Sequence, residues 1–242
     1  MNESSIMSRI RIPANWVLVD TDIFSGNEII LSEKTKINID PTYEPHEWVS
    51  RKGTALAVPE RLTFDSNLSR MSLEWKTKME ILAGDTVYFD YFGALMSFGN
   101  HAQKFEKNTD ELVFEEFGRI YPFIHYREFF AVERAGEIIP INGYVICEQV
   151  SRLPASPLEV FQKKQVDTNI GIVRYVGKSN VKYLNDVYAD PEVAPGDIIL
   201  FMTYSNRPVT IHEEKMWAIQ KRFVMAKFYG SYEDIQKTTT TH

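Results

Sequence analysis

Pro195-Gly196-Asp197-Ile198-Ile199-Leu200-Phe201 repeats a phrase the chain has already used, Ala83-Gly84-Asp85-Thr86-Val87-Tyr88-Phe89. In each, a Gly free to adopt positive φ and an Asp able to accept from nearby backbone amides make a tight turn, and β-branched and aromatic residues follow at once. The phrase predicts a turn into a buried strand. Asp as a catalytic carboxylate would need a second carboxylate or a His at matched spacing, and none recurs with it.

Three more words recur around this one in the same order. Trp16-Val17-Leu18-Val19-Asp20, Gly53-Thr54-Ala55-Leu56-Ala57-Val58 and Phe129-Phe130-Ala131-Val132-Glu133 are answered by Tyr144-Val145-Ile146-Cys147-Glu148, Gly171-Ile172-Val173-Arg174-Tyr175-Val176 and Phe223-Val224-Met225-Ala226-Lys227. The separation falls from 128 (Trp16 to Tyr144) through 118 (Gly53 to Gly171) and 112 (Gly84 to Gly196) to 94 (Phe129 to Phe223). A unit copied with shorter connections in the second copy behaves this way, since strands keep their length while loops drift. Gly136, Pro140 and Asn142-Gly143 punctuate the junction, so two domains are expected, 1–136 and 137–242.

Composition narrows the function. The 242 residues carry 27 Lys and Arg against 33 Asp and Glu, a net charge of −6, with no basic cluster interleaved with aromatics. A nucleic-acid or anionic-membrane binder needs the opposite balance. The single cysteine, Cys147, allows no intramolecular disulfide and reads as a small buried hydrophobe within an apolar word. Residues 1–12 lack the apolar core of a signal peptide, and the longest apolar run, Ile198 to Met202, is far too short to span a bilayer. The expectation is a soluble, cytoplasmic protein.

Short runs rich in Val, Ile, Tyr and Phe, bounded by Gly, Pro, Asn and Asp, make the chain all-β. Only two short helices are predicted, Pro157 to Lys164 and Ser231 to Lys237. Arg61 to Met79 and Lys178 to Glu192 read as long hairpins or loops, and Tyr91, Phe92 and Phe98 as the aromatic inner face of a barrel or, alternatively, a subunit contact. His46, His101, His125, His212 and His242 have no metal-ligand spacing, and the chain holds no P-loop, G-x-S-x-G elbow or Cys/His arrangement. No catalytic residue, metal or cofactor is therefore assigned, and the chain is not read as an enzyme.

Taken in order, the words resemble the GroES-type co-chaperonin subunit. The likeness rests on Trp16 to Asp20, Gly26-Asn27-Glu28-Ile29-Ile30-Leu31, Gly53 to Val58, Gly84-Asp85-x-Val87-x-Phe89 and Phe130 to Glu133. Tyr144 to Glu148, Gly171 to Gly177, Gly196 to Phe201, Ile211-His212-Glu213-Glu214-Lys215 and Val224 to Ala226 carry it through the second half. It implies two tandem GroES-like, partly open small β-barrels with long loops, subunits that assemble into a ring, and a lid function on an ATP-loaded chaperonin. The GroES-like barrel also occurs in medium-chain dehydrogenases, but no G-x-G-x-x-G is present and no room remains for a nucleotide-binding domain.

In that family a mobile loop carries an apolar tripeptide, preceded by Gly, into a groove of the chaperonin. Ile29, Ile30 and Leu31 occupy the matching position after Gly26, within a 22–52 loop that is longer than the family's and bears Ile37, Ile39, Tyr43 and Trp48. The same triplet also fits an ordinary strand of the first barrel. The matching stretch of the second half, Val150 to Ile170, has no aliphatic triplet after Gly, and Leu158, Val160 and Phe161 are its apolar substitutes. The resemblance thus implies a chaperonin ring as partner and a homo-oligomer as the state. The competing reading is a structural or assembly module, such as a phage or complex component, that keeps the fold without chaperonin contact.

Overall fold

The structure is a computed structural model that describes residues 12, 14–22, 28–32, 35–38, 49–65, 72–74, 78–95, 113–116, 119–151, 166–178 and 192–232; residues 28–32, 35–38, 64–65, 72–74, 113–116 and 119–120 are described by backbone alone. Eleven strands lead up to the junction: β1 (Trp16–Asp20), β2 (Glu28–Ser32), β3 (Thr35–Asn38), β4 (Lys52–Ala57), β5 (Thr63–Asp65), β6 (Ser72–Glu74), β7 (Thr86–Phe89), β8 (Val113–Glu116), β9 (Arg119–His125), β10 (Phe129–Arg134) and β11 (Glu137–Pro140). After it come β12 (Tyr144–Ser151), β13 (Val166–Val176), β14 (Ile198–Phe201), β15 (Arg207–Ile211), β16 (Glu214–Gln220) and β17 (Val224–Phe228). Each of the eight recurring words overlaps one of these strands, as expected of short β-branched and aromatic runs bounded by turn residues. Among the described residues the chain is all-β, with a short helical turn at 91–95, two 3-10 turns, Tyr126–Glu128 and Lys221–Phe223, and a helical residue at Tyr232; the rest of the helix expected over Ser231 to Lys237 lies outside the described residues. It divides into two compact units, the described residues up to Glu137 and those from Ile138 onward.

The seven-stranded sheet runs β11-β10-β7-β4-β1-β9-β8 and the six-stranded sheet β15-β16-β12-β13-β14-β17. Read from β10 and from β17, the two orders are the same: last word, Gly-Asp word, Gly-opened word, first word, then a hairpin. The pairings that carry the order, β1 with β4 and β9, β12 with β13 and β16, are antiparallel. Both orders are open. The final word needs one correction: Phe223 closes the 3-10 turn and β17 starts at Val224, so Phe129 corresponds to Val224 and the last separation is 95. The apolar run through Phe223 hid this, because a 3-10 turn of three residues leaves no periodicity.

Backbone hydrogen bonds reproduce one another across the units. Gly84 and Gly196 sit at φ 92° and 91°. The Gly84 N–H donates to the Ala55 carbonyl and the Gly196 N–H to the Val173 carbonyl, both at 2.7 Å. In return the Ala55 N–H reaches the Asp85 carbonyl at 2.9 Å, and the Val173 N–H the Asp197 carbonyl at 2.8 Å. The 3-10 turns are anchored alike, with the Tyr126 N–H on the Asn15 carbonyl and the Lys221 N–H on the Gly143 carbonyl. Asn15 and Gly143, which immediately precede β1 and β12, both have positive φ, 71° and 74°.

Each unit has its own core. Val17, Leu18, Val19, Ala55, Val87, Phe89, Ile124 and Phe129 are buried in the first, and Val145, Cys147, Val173, Ile199, Phe201 and Ile219 form the second. At the heart of both, two strands approach across a glycine. A Cβ on Gly53 would lie 2.6 Å from Val19 Cγ1 and 2.7 Å from the Asp20 carbonyl, and one on Gly171 would lie 2.9 Å from Cys147 Cβ. Only a residue without a side chain permits that spacing.

Candidate functional site

Ile29, Ile30 and Leu31 fall in β2, which pairs with β3 in a two-stranded ribbon separate from the seven-stranded sheet. They are thus not a strand of the main sheet of the first unit. Register places Ile29 opposite Ile37, Ile30 opposite Lys36 and Glu28 opposite Asn38, with an irregularity between Ile30 and Ser32. Because successive positions alternate between faces, 29 and 37 share one face of the ribbon, while 28, 30, 36 and 38 share the other. The contiguous triplet of the sequence is therefore divided between two faces. Leu158, Val160 and Phe161 lie outside the described residues, as do Phe98 and the helix expected over Pro157 to Lys164.

Arg61 to Met79 contains the β5/β6 hairpin, with Phe64 opposite Leu73. Tyr91 and Phe92 lie in the short helical turn rather than in a barrel strand; Arg51 stacks over the Tyr91 ring, and Phe92 is exposed. Ile211 and Glu214 close the β15/β16 hairpin across His212-Glu213, both at positive φ, so the charged segment of the second half is a two-residue turn.

The Gly-Asp turns carry most of the electrostatics. Asp85 Oδ2 accepts from the Leu82 N–H at 2.8 Å, and Asp197 Oδ2 from the Ala194 N–H at 2.7 Å. These are the backbone bonds expected of such an Asp. A cation from the last strand of each unit then holds each carboxylate. Arg134 forks onto Asp85 through Nε (2.9 Å) and one terminal nitrogen (2.6 Å), and the latter also reaches the Glu80 carbonyl. Lys227 Nζ lies 2.7 Å from Asp197. The hydrogen bond to Asp85 raises the Arg134 pKa. Burial opposes ionisation of Asp197, but the Lys227 ammonium and the Ala194 N–H outweigh it and hold the carboxyl below its ordinary range. Neither cation is marked in the local sequence, since each lies far along the chain from its carboxylate.

Among the described residues, Cys147 and His125 are held by burial and capping contacts. Cys147 is fully buried, and desolvation pushes its thiol up to about 12, so it is a thiol rather than a nucleophilic thiolate at neutral pH. His125 packs edge-on against Trp16 and accepts the Arg127 N–H on Nδ1, which is the work of a cap on the 3-10 turn. Among the described residues no group of His, Cys, Asp and Glu could hold a metal ion, and no helix is long and apolar enough to cross a membrane.

The surface offers a contrast between the units at their last strands. The first four residues of β10 are buried, whereas β17 has no buried residue. Met225 is 66% exposed, and Tyr229, just beyond β17, is 88% exposed.

Residues 137–228 match the family described as the chaperonin 10 kDa subunit. The match opens with the first residue of β11 and closes with the last of β17, so it takes in every strand of the six-stranded sheet. The second unit is therefore similar to a chaperonin 10 subunit along its whole sheet, and its all-β architecture is GroES-like. No curated protein matches the chain.

Proposed function

We propose that the chain is a tandem co-chaperonin, two GroES-like units in one polypeptide that sit in a ring and close an ATP-loaded chaperonin as a non-catalytic, cytoplasmic lid. The observation that carries the reading is the shared strand order: the unit similar to a chaperonin 10 subunit has the same order as its neighbour. Shared turns, 3-10 anchors and glycine crossings support descent of both units from one fold. The second unit has kept the family's sequence, and the first has kept its topology around longer connections.

In this reading contact is made through the β2/β3 ribbon, at Ile29, Ile30 and Leu31, with Leu158, Val160 and Phe161 as the weaker candidates of the second unit. Burying three aliphatic side chains is worth about 2 kcal/mol each, about 6 kcal/mol in all before ordering costs. One such contact corresponds to a dissociation constant on the order of tens of micromolar. Tight capping therefore needs several contacts at once, which a ring supplies through effective concentration. Weak single contacts also let a lid leave.

The test is sedimentation of the full chain with a purified chaperonin, with and without ATP, alongside the chaperonin's ATPase rate. A nucleotide-dependent complex and an altered rate are expected; neither appearing would overturn the proposal. Ile30→Asp should abolish the complex and leave the fold intact. Pairing of 28–32 with 35–38 favours the second reading, a structural or assembly module, because a docking loop of this family is free before it binds. Limited proteolysis separates the two: cutting within 22–52 that ATP-loaded chaperonin suppresses supports the lid, and resistance without chaperonin supports the module.

A further inference from the structure

We infer that Thr21 is a positioning residue: its hydroxyl, with that of Ser50, clasps the two ends of the 22–49 connection and so fixes how the β2/β3 ribbon is presented to the chaperonin. The two units differ at one rung. In the second, the β12/β13 ladder passes from Glu148 opposite Ile172, through Gln149 opposite Gly171, to Ser151 opposite Val166. The separations of the recurring words, 128 for the first and 118 for the Gly-opened one, map the first two of these rungs onto Asp20 opposite Thr54 and Thr21 opposite Gly53. The β1/β4 ladder reaches Asp20 opposite Thr54 and goes no further. Thr21 therefore stands where the first unit stops pairing through backbone and the second does not.

Hydroxyl groups take over at that point. Thr21 is only 7% exposed, and its Cβ lies 3.0 Å from where a Cβ on Gly53 would stand, so the side chain is packed on the glycine crossing. Thr21 Oγ1 lies 2.8 Å from the Lys52 carbonyl, 3.0 Å from Ser50 Oγ and 3.2 Å from the Asp22 carbonyl, and Ser50 Oγ lies 3.0 Å from the Lys52 carbonyl. Two hydroxyl protons serve these four contacts, so at most two hydrogen bonds form at once. With Thr21 donating to the Lys52 carbonyl and Ser50 donating to Thr21, residue 21 is tied to both 50 and 52. Thr21 takes part in three of the contacts and Ser50 in two, which makes the threonine the centre of the clasp.

A clasp of side chains yields more easily than a ladder. The second unit must part backbone rungs to loosen its connection, whereas the first need release only two hydroxyl bonds. While the clasp is closed, residues 22–49 leave and return at one place on the sheet, and docking the ribbon orders little besides the ribbon itself. Once it opens, the freedom of both ends must also be lost on docking.

The role in capture rests on the lid reading, and the clasp is tested without chaperonin. Thr21→Val keeps the side-chain shape and removes the hydroxyl, whereas Thr21→Ser keeps the hydroxyl. Limited proteolysis of the full chain should cut within 22–52 about tenfold faster in Thr21→Val than in wild type or Thr21→Ser, with hydrogen exchange of the β1 and β4 amides unchanged. Capture by ATP-loaded chaperonin should weaken about fivefold in Thr21→Val and recover in Thr21→Ser, with Ser50→Ala between them because Thr21 still donates to the Lys52 carbonyl. Equal cutting of Thr21→Val and wild type overturns the inference, as does faster exchange in β1 and β4 alongside faster cutting, which would make the hydroxyl a part of the core alone. Capture of Thr21→Val as strong as that of wild type overturns the positioning role and leaves the lid standing. A wild-type chain that no chaperonin captures removes the lid and the positioning role together, and the cutting rates then decide the clasp by themselves.

Discussion

Gly53→Ala places one methyl group where the first unit has no room for it. The new Cβ would stand 2.6 Å from Val19 Cγ1, 2.7 Å from the Asp20 carbonyl and 3.0 Å from Thr21 Cβ, where unstrained carbon contacts lie at about 3.5–4.0 Å. Val19 is fully buried and β-branched, so it has no second rotamer to retreat to, and the Asp20 carbonyl belongs to β1 itself. Strands must part, at an overpacking cost near the upper end of about 1–3 kcal/mol, offset by about 0.5 kcal/mol from a stiffer unfolded chain. The net loss is about 2 kcal/mol. Gly171→Ala meets Cys147 Cβ at 2.9 Å, which must also give way, but its next contact, the Glu148 carbonyl, is at 3.3 Å, so the loss should be smaller, about 1 kcal/mol. For units of this size the first change lowers the melting transition of its unit by about 10 °C and the second by about half that. Scanning calorimetry with hydrogen exchange resolved over β4/β7 and β13/β14 assigns each shift to its unit. A Gly53→Ala chain as stable as wild type, or a larger loss from Gly171→Ala, would refute the claim that both glycines serve one crossing.

Arg134→Met leaves the Asp85 carboxylate buried with the Leu82 N–H as its remaining described donor and should cost about 2 kcal/mol, reduced from the figure for a fully buried pair because the arginine is 37% exposed. A double-mutant cycle with Asp85→Asn in urea should recover part of that loss; additive losses would remove the coupling. The Asp197 carboxyl is held below its ordinary value, so its contribution is complete above the unfolded pKa and disappears as pH falls through the folded one. Urea midpoints of the second unit should therefore drop on acidification, and Asp197→Asn should flatten the lower end of that profile; an unchanged profile would count against the pairing. Replacing His212-Glu213 by Asn-Gly suits two positive-φ positions and should raise stability by about 0.5–1 kcal/mol in the same assay. If the lid reading holds through Ile29 to Leu31, Ile29→Asp should weaken chaperonin capture as Ile30→Asp does while Ile37→Asp, opposite Ile29 in β3, leaves it in place; loss from Ile37→Asp with none from Ile30→Asp would argue against the triplet as the contact.

The strands legible in the sequence were those with a turn residue at one end and unbroken β-branched or aromatic residues after it. Those that escaped carry a local contradiction. β9 contains Pro122, which argues against a strand, yet Pro122 stands opposite Val113 within a hairpin. β16 opens on Glu214-Lys215 and read as a charged connection, although Met216, Ala218 and Ile219 are buried behind those charges. β13 begins five residues before Gly171 because Asp167 accepts from the Asn169 and Ile170 N–H groups and the Asn169 amide reaches Thr203, contacts no polar run announces. For the candidate site, the aliphatic character of Ile29 to Leu31 was plain, but its division between two faces depends on pairing with β3, and pairing is a property of register rather than of composition. The cations on Asp85 and Asp197 were invisible for a related reason: only the sheet brings residues 49 and 30 positions apart into contact.

Cys147 gives this architecture a clock. Its Cβ stands at the glycine crossing at the centre of the second unit, and the side chain is out of reach of solvent and far from ionised at neutral pH. An alkylating reagent can meet it only while β12 and β13 are parted, so the labelling rate in native buffer counts openings of that unit. The first unit holds no cysteine and is silent to the same reagent. A molecule whose two units share a strand order thus carries a mark that tells them apart, and the dwell time of one unit can be read while the other goes unobserved.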